Sequence, residues 1–343
     1  EKREEEIRSF KPETYYGINL MAEGIRFTWQ DKKSGSARSF SKERIETLKQ
    51  KMQGAPLFIK EVEKKAKKTY APALYDLTEL QRDANKKFGF SAKETLNIMQ
   101  RLYENHKILT YPRTDSRYLS SDVIGTLKER LKACAVGPYK KMAGSLSMKP
   151  VKANKSFVDD KKVSDHHAII PTEQFVQSDE ERKIYDLVVR RFLAVLYPPF
   201  EYEQTTVKAG CEEEEFLAKG KIVLKEGWKE AYEGSWSDEE DEEQKGESAL
   251  REQKLPNLEK GMQFSNNIRI EIITGTTRPP AHFNEATLLS AMENPVRYME
   301  SRDAKTVKTL GETGGLGTVA TRADIIDKLF HSFLMEKRGK EIF

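Results

Sequence analysis

The residues best suited to chemistry lie in the run Leu109-Thr-Tyr-Pro-Arg-Thr-Asp-Ser-Arg-Tyr-Leu119. It sets Tyr111 close to Arg113, Arg117, Asp115 and the hydroxyls of Thr110, Thr114 and Ser116. The ring of Pro112 clashes with the backbone before it, so Tyr111 is expected to be extended rather than helical. Pro112 also has no N–H for a ladder, which disfavours a central strand. In extended chain, positions i and i+2 face the same way, so Tyr111 and Arg113 are expected to point into one space. Such a pair suits phosphoryl transfer. A free phenol titrates near pH 10, and ionising one at pH 7 costs roughly 4 kcal/mol. A neighbouring cation lowers that cost, and a guanidinium can hold phosphate oxygens through two parallel hydrogen bonds. Taken alone, Tyr-Pro-Arg also fits a half-buried tyrosine beside solvated arginines.

Other segments carry groups that could join this chemistry. His166 and His167 are two of only five histidines. An imidazole suits proton handling near neutral pH, and neither cysteines nor further histidines lie at a metal-site spacing from the pair. Gln100 and Glu104 are four residues apart on an expected helix, hence on one face. Gly314-Gly-Leu-Gly317 feeds a helix expected to open at Thr321. A glycine-rich loop at a helix start is a phosphate seat, because free amides point outward there.

The full string around Tyr111 resembles the active-site segment of the type IA DNA topoisomerases. In that family this tyrosine attacks the DNA backbone and keeps the 5′ phosphate. The Asp165-His-His-Ala-Ile-Ile-Pro stretch is similar to the family's histidine motif, with His166 at the matching position, near the scissile phosphate, and His167 as a bystander. Gln100-Arg-Leu-Tyr-Glu104 matches the family's segment, where Gln100 and Glu104 would line the cleft. Gly315-Leu-Gly-Thr-Val-Ala-Thr-Arg322 also resembles a family segment, with Val319 where proline is more usual. The resemblance implies that Thr321 and Arg322 lie near DNA. Arg278-Pro-Pro-Ala-His-Phe-Asn-Glu departs from the pattern at His282 and Asn284. The variants around His166 and Arg322 look more like the topoisomerase III branch than the topoisomerase I branch.

The resemblance implies a mixed α and β multidomain chain, a toroidal core with a helical tyrosine domain, a β-rich arch and a helical base. Residues 1–10 and 276–343 would form the helical DNA-binding base, 11–75 and 176–275 the arch, and 76–175 the helical domain carrying Tyr111. Single-stranded DNA would be the partner, cleaved without ATP through a 5′-phosphotyrosine, with Arg113 stabilising charge and strand passage before religation. The family also needs Mg2+ on an acidic cluster. No Asp-X-Asp-X-Glu string is present here, so the Mg2+ ligands are expected outside this chain and no metal on these residues. The opening Glu-Lys-Arg-Glu-Glu-Glu-Ile reads like a helix already under way, as in a piece of a longer polypeptide that lacks its metal domain. Two other readings stand: a tyrosine recombinase or type IB enzyme, disfavoured by a tyrosine in the first third, and a non-catalytic module in which Tyr111 only stacks on bases.

Size and composition set the frame. The 343 residues allow two or three domains. Charged residues make up 33% and hydrophobic ones 37%, as expected for a soluble, highly charged protein. No apolar run reaches the ~20 residues of a membrane helix. The net charge of +4 is modest and only weakly favours nucleic acid. Cys134 and Cys211 make neither a zinc spacing nor a disulfide framework, which fits a reducing, cytoplasmic setting.

Along the chain, Pro12 ends a first charged helix. Residues 15–29 read as strand, 41–52 as amphipathic helix and 56–65 as strand. Asp76-Leu-Thr-Glu79 and Ser91-Ala-Lys-Glu94 match capping boxes, Gly89 ends the helix between them, and Leu96, Met99, Leu102 and Tyr103 share a face. A helix is expected over 121–135, loop over 137–163, and a helix capped by Ser178 and running to Tyr197. Residues 201–233 and 262–274 alternate like strands, with the acidic stretch 234–248 as a mobile loop.

Overall fold

The computed structural model describes residues 1–174, 181–233, 250–299 and 304–343. The expected cap at Ser178 and the acidic stretch 234–248 lie outside the described residues. Two layers position the site, an antiparallel sheet and a set of helices.

The sheet begins with β1 (Thr14–Ala22) and β2 (Ile25–Gln30), joined by a two-residue turn at Glu23 and Gly24, both at positive φ. Both central residues at positive φ is the backbone twist that suits a tight hairpin. Helix α2 (Lys42–Met52) follows, then β3 (Leu57–Thr69), β4 (Phe200–Cys211), β5 (Glu214–Lys225), β6 (Glu252–Gln253), β7 (Gln263–Phe264) and β8 (Arg269–Thr276). The order across the sheet is β7-β3-β4-β5-β2-β1-β8, with β6 added parallel to β5. One face buries Ile18, Leu20, Phe27, Trp29, Leu57, Ile59, Val207 and Phe216 against Ile45, Leu48 and Met52 of α2. Strand β3 runs four residues past the expected end at Lys65. Its lysines are paired along β4, with Lys68 3.0 Å from Glu201. Backbone pairing to a long neighbour carries the strand where side-chain alternation has stopped.

The helical layer interrupts the sheet between β3 and β4. Helices α3 (Leu77–Phe88) and α4 (Ala92–Glu104) start where their caps place them. Ser91 and Glu94 form the full reciprocal box, and Gly89 closes α3 in the left-handed region. Asp76 caps Glu79, yet the Glu79 carboxylate turns to Arg82 and Arg117 instead of back to the cap. The helix expected over 121–135 is split: Ser121–Thr126 is a 3-10 turn and α5 covers Leu127–Cys134. The loop expected over 137–163 contains a helix, α6 (Lys140–Ser147). Tyr139 and Ala143 are one turn apart and both pack into the core beside Leu131 and Phe157, which outweighs the local glycines and serines. Helix α7 (Arg182–Leu196) buries Ile184, Leu187 and Val188 with α3 and α4, and Val189, Phe192 and Leu193 with α5 and α6. It lies within the helical layer, although its sequence falls inside the span expected for the arch.

The last segment adds α8 (Glu285–Glu293), α9 (Ala304–Glu312), α10 (Arg322–His331) and the short pair β9 (Lys337–Arg338) and β10 (Glu341–Ile342). Asn284 caps α8. Leu289, Met292, Ala323 and Ile326 pack on Leu77 and Leu96. The first helix, α1 (Lys2–Ser9), lies against this segment through Arg3, which stacks over Phe283 and donates to the Ala281 carbonyl. His282 faces Glu4 at 2.9 Å. No helix among the described residues is long and apolar enough to cross a membrane.

Leu102 is 1% exposed and sits in the cluster that anchors the start of the tyrosine run. Leu102→Ala is expected to lower stability by about 2–5 kcal/mol, from lost transfer energy and the cavity left behind. Urea unfolding measures this, and a loss below ~0.5 kcal/mol would contradict the packing.

Candidate active site

The run 109–119 is a bridge between two apolar cores. Leu109 is buried with Met99, Leu102 and Ile108, and Leu119 is buried with Val123, Leu127 and Phe157. Between them the backbone is irregular and stitched to residues 166–171. The amide of Thr110 donates to the Ile170 carbonyl at 3.0 Å, and Ile170 returns a bond to the Thr110 hydroxyl at 3.0 Å. The hydroxyl of Thr114 donates to the His166 carbonyl at 2.9 Å and accepts the Ser116 amide at 3.1 Å. The Ala168 amide donates to Tyr118 at 2.9 Å. Each hydroxyl of the run thus holds backbone that has no helix or sheet partner, which a buried segment requires.

Tyr111 and His166 are brought together. Their ring centroids are 4.1 Å apart and the planes are inclined by 31°. Tyr103 of α4 meets Tyr111 edge-on at 5.5 Å. Gln100 lies on the α4 face of Tyr103, at i−3, and Glu104 follows Tyr103 at the end of the helix. Arg113 reaches the glycine-rich loop. Its Nη1 donates to the Ala320 carbonyl at 3.0 Å, and no hydrogen bond joins the Tyr111 hydroxyl to Arg113 among the described residues. The bond to Ala320 ties the guanidinium to the glycine-rich loop.

The glycine-rich loop is not the open phosphate seat that its composition suggests. The amides of Gly315, Leu316, Thr318, Thr321 and Arg322 all donate within the protein. Gly315 has φ +94°, and a Cβ there would come 2.2 Å from the Met292 carbonyl, so only glycine fits. Arg322 is 3% exposed, its guanidinium turned into the protein. It donates to the carbonyls of Leu316 and Gly314 at 3.1 and 2.5 Å. Burial lowers its pKa, partly offset by Glu293, yet a guanidinium stays charged. Thr321 is exposed at the start of α10, and its hydroxyl is tied to Thr318 rather than to a helix amide.

A cavity of about 330 Å³ opens beside the tyrosine, lined by Tyr111, His166 and His167 together with Asp122, Asp160 and Asp165. These aspartates were not marked by spacing, because they come from three separate turns. Ser120 holds the Asp122 carboxyl below its ordinary range, and Asp160 accepts the Ser121 amide at 2.7 Å. His167 is half-buried, and its Nδ1 donates to the Ala168 carbonyl at 2.7 Å. Burial lowers its pKa and favours the neutral ring. No group of three or more His, Cys, Asp or Glu suited to a metal occurs among the described residues.

The fold is mixed α and β, and its site groups a phenol, an imidazole and a guanidinium on an irregular bridge within a helical layer. Residues 1–343 match the family model described as DNA topoisomerase, and the chain belongs to that family. DNA topoisomerase 3 of Bacillus cereus is 58% identical over 99% of this chain and 46% of its own length. DNA topoisomerase 3 of Bacillus subtilis is 55% identical over 100% of this chain and 47% of its own length. The chain therefore spans about half the length of these curated relatives. Full-length topoisomerase I from Thermotoga maritima shares the fold, with a TM-score of 0.69 at 22% identity over 100% of this chain and 51% of that one.

The lowered pKa of His167 links stability to pH. A base whose folded pKa lies below its unfolded value stabilises the fold above the unfolded value, near 6.5. That contribution falls away as pH drops through the lowered folded value. His167→Gln should therefore shrink the fall in melting temperature between pH 7.5 and pH 5, read by calorimetry. An unchanged pH dependence would show that the ring is not held neutral.

Proposed function

We propose that this chain is the strand-cleaving core of a type IA DNA topoisomerase acting on single-stranded DNA, with Tyr111 as the nucleophile. The observation that carries this reading is the environment of the phenol. Tyr111 is half-buried, stacked on His166 and braced by Tyr103, while its hydroxyl is committed to no described residue. A tyrosine kept for packing or hydrogen bonding alone would have its hydroxyl satisfied. Membership of the DNA topoisomerase family supports the same reading.

In this mechanism the Tyr111 oxygen attacks a backbone phosphorus and the bond to the 3′ oxygen breaks. The products are a 5′-phosphotyrosine and a free 3′ hydroxyl. His166 lies where an imidazole can handle the phenol proton. The acidic wall of Asp122, Asp160 and Asp165 repels phosphate from one side of the ring. The strand then approaches from the side of Arg113, Thr321, Gln100 and Glu104, and Arg113 offers its remaining N–H groups to the developing charge. Religation reverses the step, so no ATP is consumed.

Magnesium in this scheme has its ligands outside residues 1–343, and the described residues do not fit it. The division into a base (1–10 and 276–343), an arch (11–75 and 176–275) and a tyrosine-bearing domain (76–175) is part of the proposal, with α7 serving the last by its packing. The setting is the bacterial cytoplasm.

Tyr111→Phe in the intact protein should lower covalent adduct formation by roughly 10³-fold or more while leaving oligonucleotide binding in place. End-labelled DNA should show the 5′ end attached. Attachment through a 3′ phosphate would move the protein to the recombinase and type IB class, and an adduct that survives the substitution would remove Tyr111 from the chemistry. Residues 1–343 alone should bind single-stranded DNA weakly and cleave it poorly. Robust magnesium-dependent relaxation by this chain alone would overturn the placement of the metal ligands.

A further inference from the structure

One carboxylate holds the tyrosine run from both sides. The first arm starts at Arg113, whose Nη1 is 3.0 Å from the Ala320 carbonyl. That carbonyl belongs to the glycine-rich loop. Arg322 grips the loop through the carbonyls of Gly314 and Leu316, and its Nη1 lies 3.4 Å from Glu293 Oε1. The second arm starts at Arg117, whose Nε donates to Asp76 at 2.7 Å and whose Nη2 reaches Glu79 at 3.4 Å. Glu79 pairs with Arg82 at 2.5 Å, and Arg82 Nη1 donates to Glu293 Oε2 at 2.5 Å.

The two oxygens of Glu293 therefore serve different arms. Oε2 takes Arg82, which leads through α3 to Arg117. Oε1 takes Arg322, which leads through the loop to Arg113. The groups are shielded: the side chains of Arg322, Arg82 and Glu293 are 4%, 12% and 22% exposed. Ion pairs so placed are screened little by salt. The nitrogens paired with Glu293 are held from a second side, Arg82 Nη1 by the Ser290 hydroxyl at 3.2 Å and Arg322 Nη1 by the Thr78 hydroxyl at 3.3 Å. The backbone reinforces the node. Glu293 ends α8, and the preceding Met292 carbonyl accepts the Leu316 amide at 2.7 Å.

We propose that Glu293 is a positioning residue for the Tyr111 run. It fixes the Arg113 and Arg117 ends together, so that the phenol and its guanidinium move as one unit with the glycine-rich loop. Arg322 belongs to the same device as the loop's inner clamp. Only the cleavage readout of this inference rests on Tyr111 being the nucleophile; the coupling itself does not.

Glu293→Gln keeps the shape and removes the charge. Hydrogen exchange on residues 1–343 should then speed up by about tenfold at two distant places, the amides of Ser116 and Tyr118 and those of Leu316 and Thr318. Amides of α5 should be unchanged. In the intact protein the rate constant for adduct formation should fall roughly tenfold or more with KM little changed, since misplacement costs rate rather than binding. Glu293→Asp should recover part of the loss. Faster exchange at one place only, or at neither, overturns the proposal, as does an unchanged cleavage rate in a protein whose Tyr111→Phe form is inactive. If Glu293→Gln does not fold, Arg82→Gln opens one arm alone. It should loosen Ser116 and Tyr118 but spare Leu316 and Thr318, and the reverse pattern or no change overturns the proposal. An intact protein that forms no adduct with Tyr111 present defeats the functional reading, while the exchange result still decides the coupling.

Discussion

The bridge from Leu109 to Leu119 depends on having both ends sunk in apolar cores while its middle follows no regular structure. Irregular backbone inside a helical layer must satisfy its polar groups without a ladder. Here Thr110, Thr114 and Ser116 do so with side-chain hydroxyls, and the backbones of 166–171, Phe157, Asp159, Lys162 and Leu77 accept or donate others. This explains why so many hydroxyl residues crowd into one short run. It also couples the position of His166 to that of Tyr111, because the hydroxyl of Thr114, 2% exposed, holds the His166 carbonyl.

Charge is arranged around this bridge in two unlike ways. On one side the carboxylates of Asp122, Asp160 and Asp165 line an open cavity. On the other, charges of alternating sign are partly buried: Asp76, Arg117, Glu79, Arg82, Glu293 and Arg322. Burial, together with the charge of Glu293, raises the pKa of Asp76 despite its arginine partner. Glu79 ends up lowered, because Arg82 and Arg117 outweigh its burial. Such a ladder adds little to net stability compared with apolar packing, but removing one rung leaves a buried charge unpaired. Its contribution is to geometry, by defining one arrangement of α3, α8 and the glycine-rich loop.

Much of the local structure was legible in the sequence. Ser91 with Glu94 and the left-handed Gly89 mark helix ends by chemistry that acts over four residues. The apolar face of α4 follows from its period. What could not be read depends on distance along the chain. Helix α6 exists because Tyr139 and Ala143 find Leu131 and Phe157, not because its own residues favour helix. Strand β3 continues through its lysines because β4 lies alongside. Within the site, the Tyr111 and His166 pairing was visible as a motif, whereas the turn of Arg113 toward Ala320 was not. Proximity of two residues in extended chain says where side chains can go, and a carbonyl contributed some two hundred residues later decided where one of them went.

The glycine-rich loop shows the same limit from the other side. Its composition suggests amides free to cradle a phosphate. In the fold, five of those amides donate within the protein, and the buried Arg322 binds the carbonyls of Gly314 and Leu316 while Arg113 binds that of Ala320. The glycines serve close approach instead: Gly315 lies against the end of α8 at a spacing that excludes a Cβ. The loop also holds a cation, Arg113, through the Ala320 carbonyl. One Nη of Arg113 is used in that bond, so the guanidinium is placed by a loop some two hundred residues further along the chain.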